Sequence, residues 1–297
     1  MSSSANASAI TLSAPAKINW FLRVTGKRAD GYHDIYSAMQ AVSLYDTITI
    51  EPSDTLELIS DLKIPERENL VYKAAEVFFA RKELNTTHHS SRITLKKEIP
   101  AQAGLGGGSS DAAHTLVGLN KLFGDIYSVE ELSSMAAELG SDVPFFISGG
   151  FAVVEGRGEK VIPHKVNSTI SLLLIHPPFP ISTAWAYGQF AGRGFTAIPD
   201  PGQLRDNLIT ALESYDFKCL AGCMKNDIED VLKDRFPAIQ EIEKAMLKAG
   251  AEAAMLSGSG SAVFGVFKDA KTLDKAAQSL AAHYTDCLIK KATTHSK

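Results

Sequence analysis

The sequence predicts an α+β protein of two lobes, and three observations carry that prediction. Strand-like and helix-like segments recur in both halves of the chain with no fixed-period repeat. The texture changes after Pro177-Pro178, where residues 179–207 become rich in aromatics, glycine and proline. Each half also carries a glycine–serine turn, Gly104 to Ser110 in the first and Ser257 to Ser261 in the second. A boundary near residues 160–180 gives lobes of 1–167 and 168–297, with a cleft expected between them. The length, 297 residues, suits one large domain or two medium ones.

The elements follow in order. Ile18, Trp20, Leu22 and Val24 alternate along a strand from Ile10 to Val24, which Pro15 is expected to break. Gly26 to Gly31 is a polar turn-rich loop. Ala38 to Leu44 and Asp46 to Glu51 read as two further strands, with Asp54 to Ser60 able to pair with them. Leu70, Ala74, Val77 and Phe78 recur at helical spacing, placing a helix that follows Glu68 and Asn69 and reaches about Leu84. Arg92 to Lys96 is a short strand leading to Pro100.

A helix from Ser109 to Leu122 follows, burying Ala112, Ala113, Leu116, Val117 and Leu119. Ser128 and Glu131 form a capping-box pattern that opens the next helix, and Gly140 closes it. Phe151 to Glu155 and Ser171 to Ile175 read as strands. Residues 179–207 suit a loop with short helical turns. Helices are expected over Asp227 to Leu232 and Ala238 to Lys248, then strands over Ala253 to Leu256 and Ala262 to Phe267. A helix from Ala270 to Ala281 and a strand from Thr285 to Ile289 end the chain.

Composition narrows the function. Hydrophobic residues make up 45% and charged residues 22%, and the formal net charge is −4. That balance gives no global basic field for nucleic acid. No apolar run is long enough to span a membrane. The start, Met1 to Ser8, lacks a basic and an apolar region and reads as a frayed tail. Cys219, Cys223 and Cys287 are an odd set without a metal-ligand quartet, which suits a reducing, cytoplasmic setting, and Cys219 and Cys223, four apart, read as buried small residues. His88, His89, His114, His164, His176, His283 and His295 show no metal-ligand spacing.

The chemistry concentrates in Pro100 to Ala113. Four glycines within five positions, then two serines, lead into a helix whose first N–H groups have no internal acceptor. Those donors and the helix dipole suit a phosphate chain. The loop is not a P-loop, because no Lys follows Gly108, and no acidic residue completes a dinucleotide fingerprint. A tight strand-to-helix turn is the alternative, but a bare turn rarely needs four glycines within five positions followed by two serines. Ser257 to Ser261 is either a hairpin turn or a second nest of amides facing the first loop.

Asp142, between Gly140 and Pro144, can take a proton from a hydroxyl nucleophile or serve as an ordinary turn residue. Lys17, on a largely apolar strand, is either an edge residue or held for a charge partner. Were it to meet Asp142, it would keep that carboxylate ionised and steady a developing alkoxide. Tyr32 and His33 end a polar loop, and Trp185 and Tyr187 lie in the aromatic segment. Flat rings there suit stacking on a base, with His33 reading its edge. Core packing is the alternative, preferred for Trp185.

Ala14 to Asn19, Arg28 to His33, the loop at 100–113, Ser141 to Pro144 and Leu256 to Gly260 together resemble the GHMP kinase superfamily. The first two motifs are more specific and resemble its members that act on a cytidine-diphosphate-linked methylerythritol. The similarity covers about residues 10–290.

It implies an N-terminal lobe like ribosomal protein S5 domain 2 and a ferredoxin-like α/β C-terminal lobe. It further implies an ATP-dependent kinase that phosphorylates the 2-hydroxyl of 4-diphosphocytidyl-2-C-methyl-D-erythritol in non-mevalonate isoprenoid precursor synthesis. Under it Asp142 is the catalytic base, supported by Lys17. Asn19, Tyr32, His33 and Tyr187 take the substrate, with His33 on the cytosine. Asn69 and Lys97 lie near the adenine, and Gly104, Leu105, Gly106, Gly107, Gly108, Ser109 and Ser110 hold the triphosphate. Mg²⁺ accompanies ATP, held mostly by nucleotide and water, and Asp111 is given no metal role.

Gln102 departs from the pattern, where glycine is common, so a local change in loop shape is expected. The partner is then a small molecule carrying cytidine diphosphate, with no nucleic acid or membrane, and the protein a monomer or homodimer. The alternatives are another GHMP kinase, of mevalonate type or for homoserine or a sugar, and a catalytically silent nucleotide-binding module.

Overall fold

The computed structural model describes residues 8–81, 90–190 and 194–295. The tail before Ser8, the expected helix end at Leu84, His88 and His89, and residues 191–193 of the aromatic segment lie outside the described residues. The first half of the chain forms β1 (Ile10–Lys27), β2 (His33–Ser53), β3 (Glu57–Ser60), α1 (Leu70–Arg81), β4 (Ser90–Lys96), α2 (Gly107–Leu122), α3 (Val129–Leu139) and α4 (Val143–Ser148). Then come β5 (Phe151–Gly156), β6 (Lys160–His164), β7 (Ser171–His176), α5 (Thr183–Gly188), α6 (Pro201–Ser214), α7 (Phe217–Cys223) and β8 (Lys225–Asn226). The chain ends with α8 (Glu229–Leu232), α9 (Pro237–Lys248), β9 (Ala253–Leu256), β10 (Val263–Phe267), α10 (Ala270–His283) and β11 (Leu288–Thr293).

These elements form two units. One takes the described residues of 1–16, 45–99 and 106–148; the other takes 17–44, 100–105 and the described residues of 149–297. Both mix strands and helices, as the α+β expectation requires.

In the first unit the end of β2 pairs antiparallel with β4, with Ile48 opposite Leu95 and Ile50 opposite Ile93. β3 adds in parallel on the far side of β4. Side chains two apart share a face of a strand, so these four apolar residues form one buried patch. Helix α2 lies against it. A Cβ on Gly118 would strike Leu12 at 2.5 Å and Ile50 at 2.6 Å, so only glycine permits the approach. Helix α1 packs on α2 and α3. Its Phe78 meets the Tyr127 ring edge-on at 5.0 Å, and the Tyr127 hydroxyl donates to the Phe78 carbonyl. Helix α3 begins with the expected capping box, Ser128 and Glu131 each satisfying the other's backbone N–H.

In the second unit the start of β2 pairs antiparallel with β5, and β5 with β6. The two-residue β8 joins β1 in parallel, Leu22 opposite Asn226. A separate antiparallel sheet runs β11-β7-β10-β9. Helix α9 offers Ile239, Ile242 and Met246, and α10 offers Leu273, Ala276 and Leu280, to a core with Leu173, Ile175, Val263 and Phe267. These spacings are the one-sided stripe of an amphipathic helix.

Several expectations change. β1 runs through Pro15 unbroken, since proline tolerates extended backbone where its missing N–H is not needed. The two strands expected between Ala38 and Glu51 are one strand of 21 residues. β3 pairs with β4. Helix α2 starts at Gly107, two residues earlier than propensity suggests. The elements α4, β6, α6, α7 and β8 were not anticipated. Asp200 caps α6 through Gln203 N, with Pro201 at the first helical position, a start signal that aromatic-rich surroundings obscure. β11 begins three residues later than expected. Cys219 is exposed on α7, whereas Cys223 is buried.

Candidate active site

In the first unit, one buried carboxylate organises the exit from β4. Asp46 Oδ1 accepts from the backbone N–H groups of Glu98 (2.5 Å) and Ile99 (2.9 Å). Its other oxygen pairs with Lys97, and Lys97 Nζ also donates to Asp111 Oδ2 at 2.6 Å. Two carboxylates therefore share one ammonium. Burial, partly offset by Lys97 and reinforced by Asp46, pushes the Asp111 carboxyl up to about 7. The second Asp111 oxygen is buried without a hydrogen-bond partner among the described residues.

The sign of the resulting pH effect is fixed. The folded state holds this proton more tightly than the unfolded chain does, so stability falls as pH climbs from about 4 to about 7. Asp111→Asn is expected to remove that fall. Urea unfolding at pH 4.5 and pH 8 should show the variant gaining on the parent as pH rises. An unchanged difference between the two proteins would contradict the assignment.

Helix α2 then begins without a side-chain cap, preceded by Gly106 at φ +70°. The N–H groups of its first residues have no intrahelical acceptors. Gly107 is required by packing, because a Cβ would meet Ile99 at 2.9 Å. Gly108 is not, because its Cβ would touch only Leu70, at 3.7 Å. Packing does not explain that glycine; an uncapped helix start of this kind is able to receive an anion. Asp142 is half-buried in the turn between α3 and α4, and α4 packs on both α2 and α3. Pro144 is accommodated in the first turn of α4, where N–H groups lack acceptors anyway. Asn69 is buried, and its Oδ1 accepts from Val71 N, capping α1.

In the second unit the two glycine–serine segments are bonded to each other. The Ser257 hydroxyl donates to the Gly104 carbonyl at 3.1 Å, and Ala262 N donates to the Ala103 carbonyl at 3.0 Å. Gly104 has φ +75°, and a Cβ there would lie inside the Ser257 carbonyl. The Ser257 to Ser261 segment thus faces the first loop. Lys17 N donates to the Leu105 carbonyl. Lys17 is buried at 3% exposure, and its Nζ donates to Asn19 Oδ1 at 2.6 Å. Asn19 Nδ2 donates to Ser37 Oγ, which donates to the Phe21 carbonyl. A Cβ on Gly258 would lie 2.9 Å from Lys17 Nζ, so that ammonium sits directly under the second loop. Gln102 adopts φ +54°, the left-handed region that glycine occupies without strain.

Away from this loop pair, His33 is buried among rings. Centroid distances are 5.5 Å to Tyr187, 6.0 Å to Phe190 and 6.2 Å to Phe195. Burial, aided by Lys27, lowers its imidazole below the ordinary histidine range. Tyr32 behaves differently. It is 52% exposed and lies under the Arg157 guanidinium at 5.2 Å. Trp185 meets Phe236 edge-on at 5.7 Å.

The structure thus gathers Asn69, Lys97, Gly106 to Ser110 and Asp142 in the first unit. Lys17, Asn19, Tyr32, His33, Gly104, Leu105 and Tyr187 belong to the second. Sequence reasoning missed Asp46, Phe190 and Phe195, whose partners are distant in the chain. No group of three or more His, Cys, Asp or Glu residues able to hold a metal occurs among the described residues. No helix among them is long and apolar enough to cross a membrane.

Comparison with known proteins identifies the family. The family model for the GHMP kinases N terminal domain matches residues 69–150, and that for the GHMP kinases C terminal matches residues 208–286. The 4-diphosphocytidyl-2-C-methyl-D-erythritol kinase of Thermodesulfovibrio yellowstonii is 40% identical over 269 residues, covering 90% of this chain and 93% of that protein. The chain belongs to the GHMP kinases. As a GHMP kinase it is an ATP-dependent kinase of a small molecule. A crystal structure of 4-(cytidine 5'-diphospho)-2C-methyl-D-erythritol kinase is similar with a TM-score of 0.80 at 30% identity, covering 97% of this chain and all of that one. Homoserine kinase from Cytophaga hutchinsonii shares the fold, with a TM-score of 0.76 at 20% identity, covering all of this chain and 96% of that one. The two-lobed α+β GHMP kinase fold is therefore the fold of this chain.

Proposed function

We propose that this GHMP kinase transfers the γ-phosphoryl group of ATP to the 2-hydroxyl of 4-diphosphocytidyl-2-C-methyl-D-erythritol, a step of non-mevalonate isoprenoid precursor synthesis. The observation that carries this choice of substrate is the ring cluster around His33. A buried imidazole beside Tyr187, with Phe190 and Phe195 close by, suits a flat heterocycle more than a small aliphatic acid. Mevalonate and homoserine offer no such ring. The similarity to curated kinases of this substrate supports the same reading.

The roles follow from chemistry. The uncapped start of α2, with Gly106 to Ser110, receives the triphosphate, and Gly104 and Leu105 complete the loop. Asn69 and Lys97 are assigned to the adenine side. Lys97 would then act from within its pairing with Asp46 and Asp111. Asp142 accepts the proton of the acceptor hydroxyl as it attacks in line. Lys17 supplies a buried positive charge for the oxygen that becomes negative, held in place by Asn19. His33, Tyr187 and Tyr32 take the cytosine end. Mg²⁺ would arrive on the nucleotide, held mostly by its phosphates and water.

The test is a competition assay. Free CDP should compete with the cytidyl substrate and leave the KM for ATP unchanged. Turnover of homoserine or mevalonate with no effect of CDP would overturn the proposal in favour of another GHMP kinase. ATP binding with no substrate-dependent ATP consumption would favour a silent module.

A further inference from the structure

The two-residue strand β8 ends at the buried Asn226 and is followed at once by the buried Asp227, and the roles above use neither. Asn226 Nδ2 donates to the carbonyl of Leu256 at 3.0 Å and to that of Gly258 at 2.8 Å. Its Oδ1 accepts from Ile228 N at 2.9 Å. Both amide protons and the amide oxygen are engaged. The two carbonyls flank Ser257, whose hydroxyl holds the Gly104 carbonyl, and Gly258 is the residue over Lys17 Nζ and Asn19. One side chain thus pins the second glycine loop on both sides of its contact with the first.

Asp227 points its hydrogen bonds elsewhere. Its Oδ2 accepts from Val24 N at 2.9 Å and from the Thr196 hydroxyl at 2.8 Å, and its Oδ1 accepts from Arg23 Nε at 3.1 Å. Thr196 N in turn donates to the Val24 carbonyl at 3.0 Å. Thr196 follows Phe195, one of the rings around His33. Charge-assisted bonds of this kind are about twice as strong as neutral ones. The parallel bridge of β8 to β1 holds both residues in register, because Leu22 is opposite Asn226 and Asp227 N donates to the Leu22 carbonyl.

We propose that Asn226 and Asp227 are a two-ended positioning pair: Asn226 sets the glycine loop beside Lys17, and Asp227 sets the Phe195–Thr196 segment beside His33. The inference rests on the function proposed above, in which Lys17 serves the reacting oxygen and His33 the base. It assigns different kinetic consequences to two neighbours in sequence. Loss of the Asn226 donors displaces a group that acts on the reaction, which lowers kcat. Loss of the Asp227 acceptors loosens a group that grips the ground state, which raises KM.

Two isosteric variants test it. Asn226→Asp turns two donors into an acceptor facing two carbonyls. It is expected to lower kcat by about 10²-fold, the penalty for a misplacement near 1 Å, with the KM for the cytidyl substrate changed less than about threefold. Asp227→Asn is expected to raise that KM about tenfold, near 1.4 kcal/mol, with kcat changed less than about threefold. Hydrogen exchange of the free protein supplies a readout that needs no substrate. Asn226→Asp should speed exchange in residues 256–260 and leave 194–198 as in the parent, and Asp227→Asn should do the reverse.

If either variant fails to fold, Ser257→Ala and Thr196→Val remove one anchoring hydroxyl from each segment and should show the same split. Parental exchange in both segments, or equal loss of kcat and KM in both variants, overturns the inference. A parent enzyme that does not phosphorylate the cytidyl substrate overturns the functional reading instead, and the exchange experiment still decides whether the pair positions the two segments.

Discussion

Asp142→Asn is expected to bind nucleotide as the parent does and to turn over its substrate about 10²- to 10⁴-fold more slowly, the range that a positioned proton acceptor contributes. The amide has the size and shape of the carboxylate, so the turn between α3 and α4 and the packing of α4 on α2 should survive. What disappears is the capacity to take a proton at neutral pH. Triphosphate binding is assigned to the start of α2, which this substitution leaves intact. Calorimetry with a non-hydrolysable ATP analogue should therefore give an affinity within about threefold of the parent, since no phosphate contact is assigned to Asp142. Steady-state turnover close to that of the parent would remove Asp142 from the mechanism. A fall in nucleotide affinity matching the fall in kcat would place the residue in binding instead.

Gly104→Ala should be the most damaging single methyl in the second unit. Two independent penalties coincide there. The residue holds φ +75°, where a Cβ costs about 1–2 kcal/mol through its own backbone. The new carbon would also fall within the Ser257 carbonyl and 2.8 Å from Gly260 N, so one of the two glycine loops must move. Main-chain groups cannot swing aside as the end of a side chain can. The displaced segment includes the Leu105 carbonyl, which accepts from Lys17 N. Turnover is therefore expected to fall about 10²-fold, as for a misplaced catalytic group, with a lower Tm.

The control is Gly124→Ala. Gly124 has φ +87°, but nothing lies within 4 Å of its Cβ position. It isolates the backbone penalty and should lose only about 1–2 kcal/mol of stability without affecting turnover. Equal effects of the two substitutions on Tm and kcat would mean that the contact between the glycine loops matters little.

How far the fold was legible depended on how local each signal is. The α3 capping box is written within four residues, and Ser128 and Glu131 satisfy one another as expected. Helices α9 and α10 were visible because each carries a clean apolar stripe. The unbroken β2 was not. Asp46 looks like a break in an apolar run until its partners, the N–H groups at 98 and 99, are known. The first turn of α2 was hidden because Gly107 and Gly108 are poor helix formers kept there by contact and openness. β8 spans only two residues, too short for any periodicity.

The site divides along the same line. Glycine clusters, Lys17 on an apolar strand and the Tyr32-His33 pair are patterns that a single sequence displays. The contacts that give them meaning are made by residues far along the chain. Asn226 reaches the second glycine loop across about thirty positions, and Phe190 and Phe195 approach His33 across more than 150. Neither partner carries a mark in its own neighbourhood. Tyr32, adjacent to His33 in sequence, has a different setting: it is exposed, with the Arg157 guanidinium over its ring.

The rings around His33 also decide which form of the imidazole a ligand meets. Because enclosure disfavours the cation, the side chain remains electrically neutral at physiological acidity, with one nitrogen giving a proton and the other receiving one. In the proposed role, a neutral imidazole can either give a proton to a pyrimidine lone pair or receive one from an exocyclic amino group, whereas a doubly protonated ring can only give. Under the function proposed above, the surrounding aromatics tune the polarity of the reader as well as cushioning what is read, which would make base discrimination insensitive to modest swings in cellular pH.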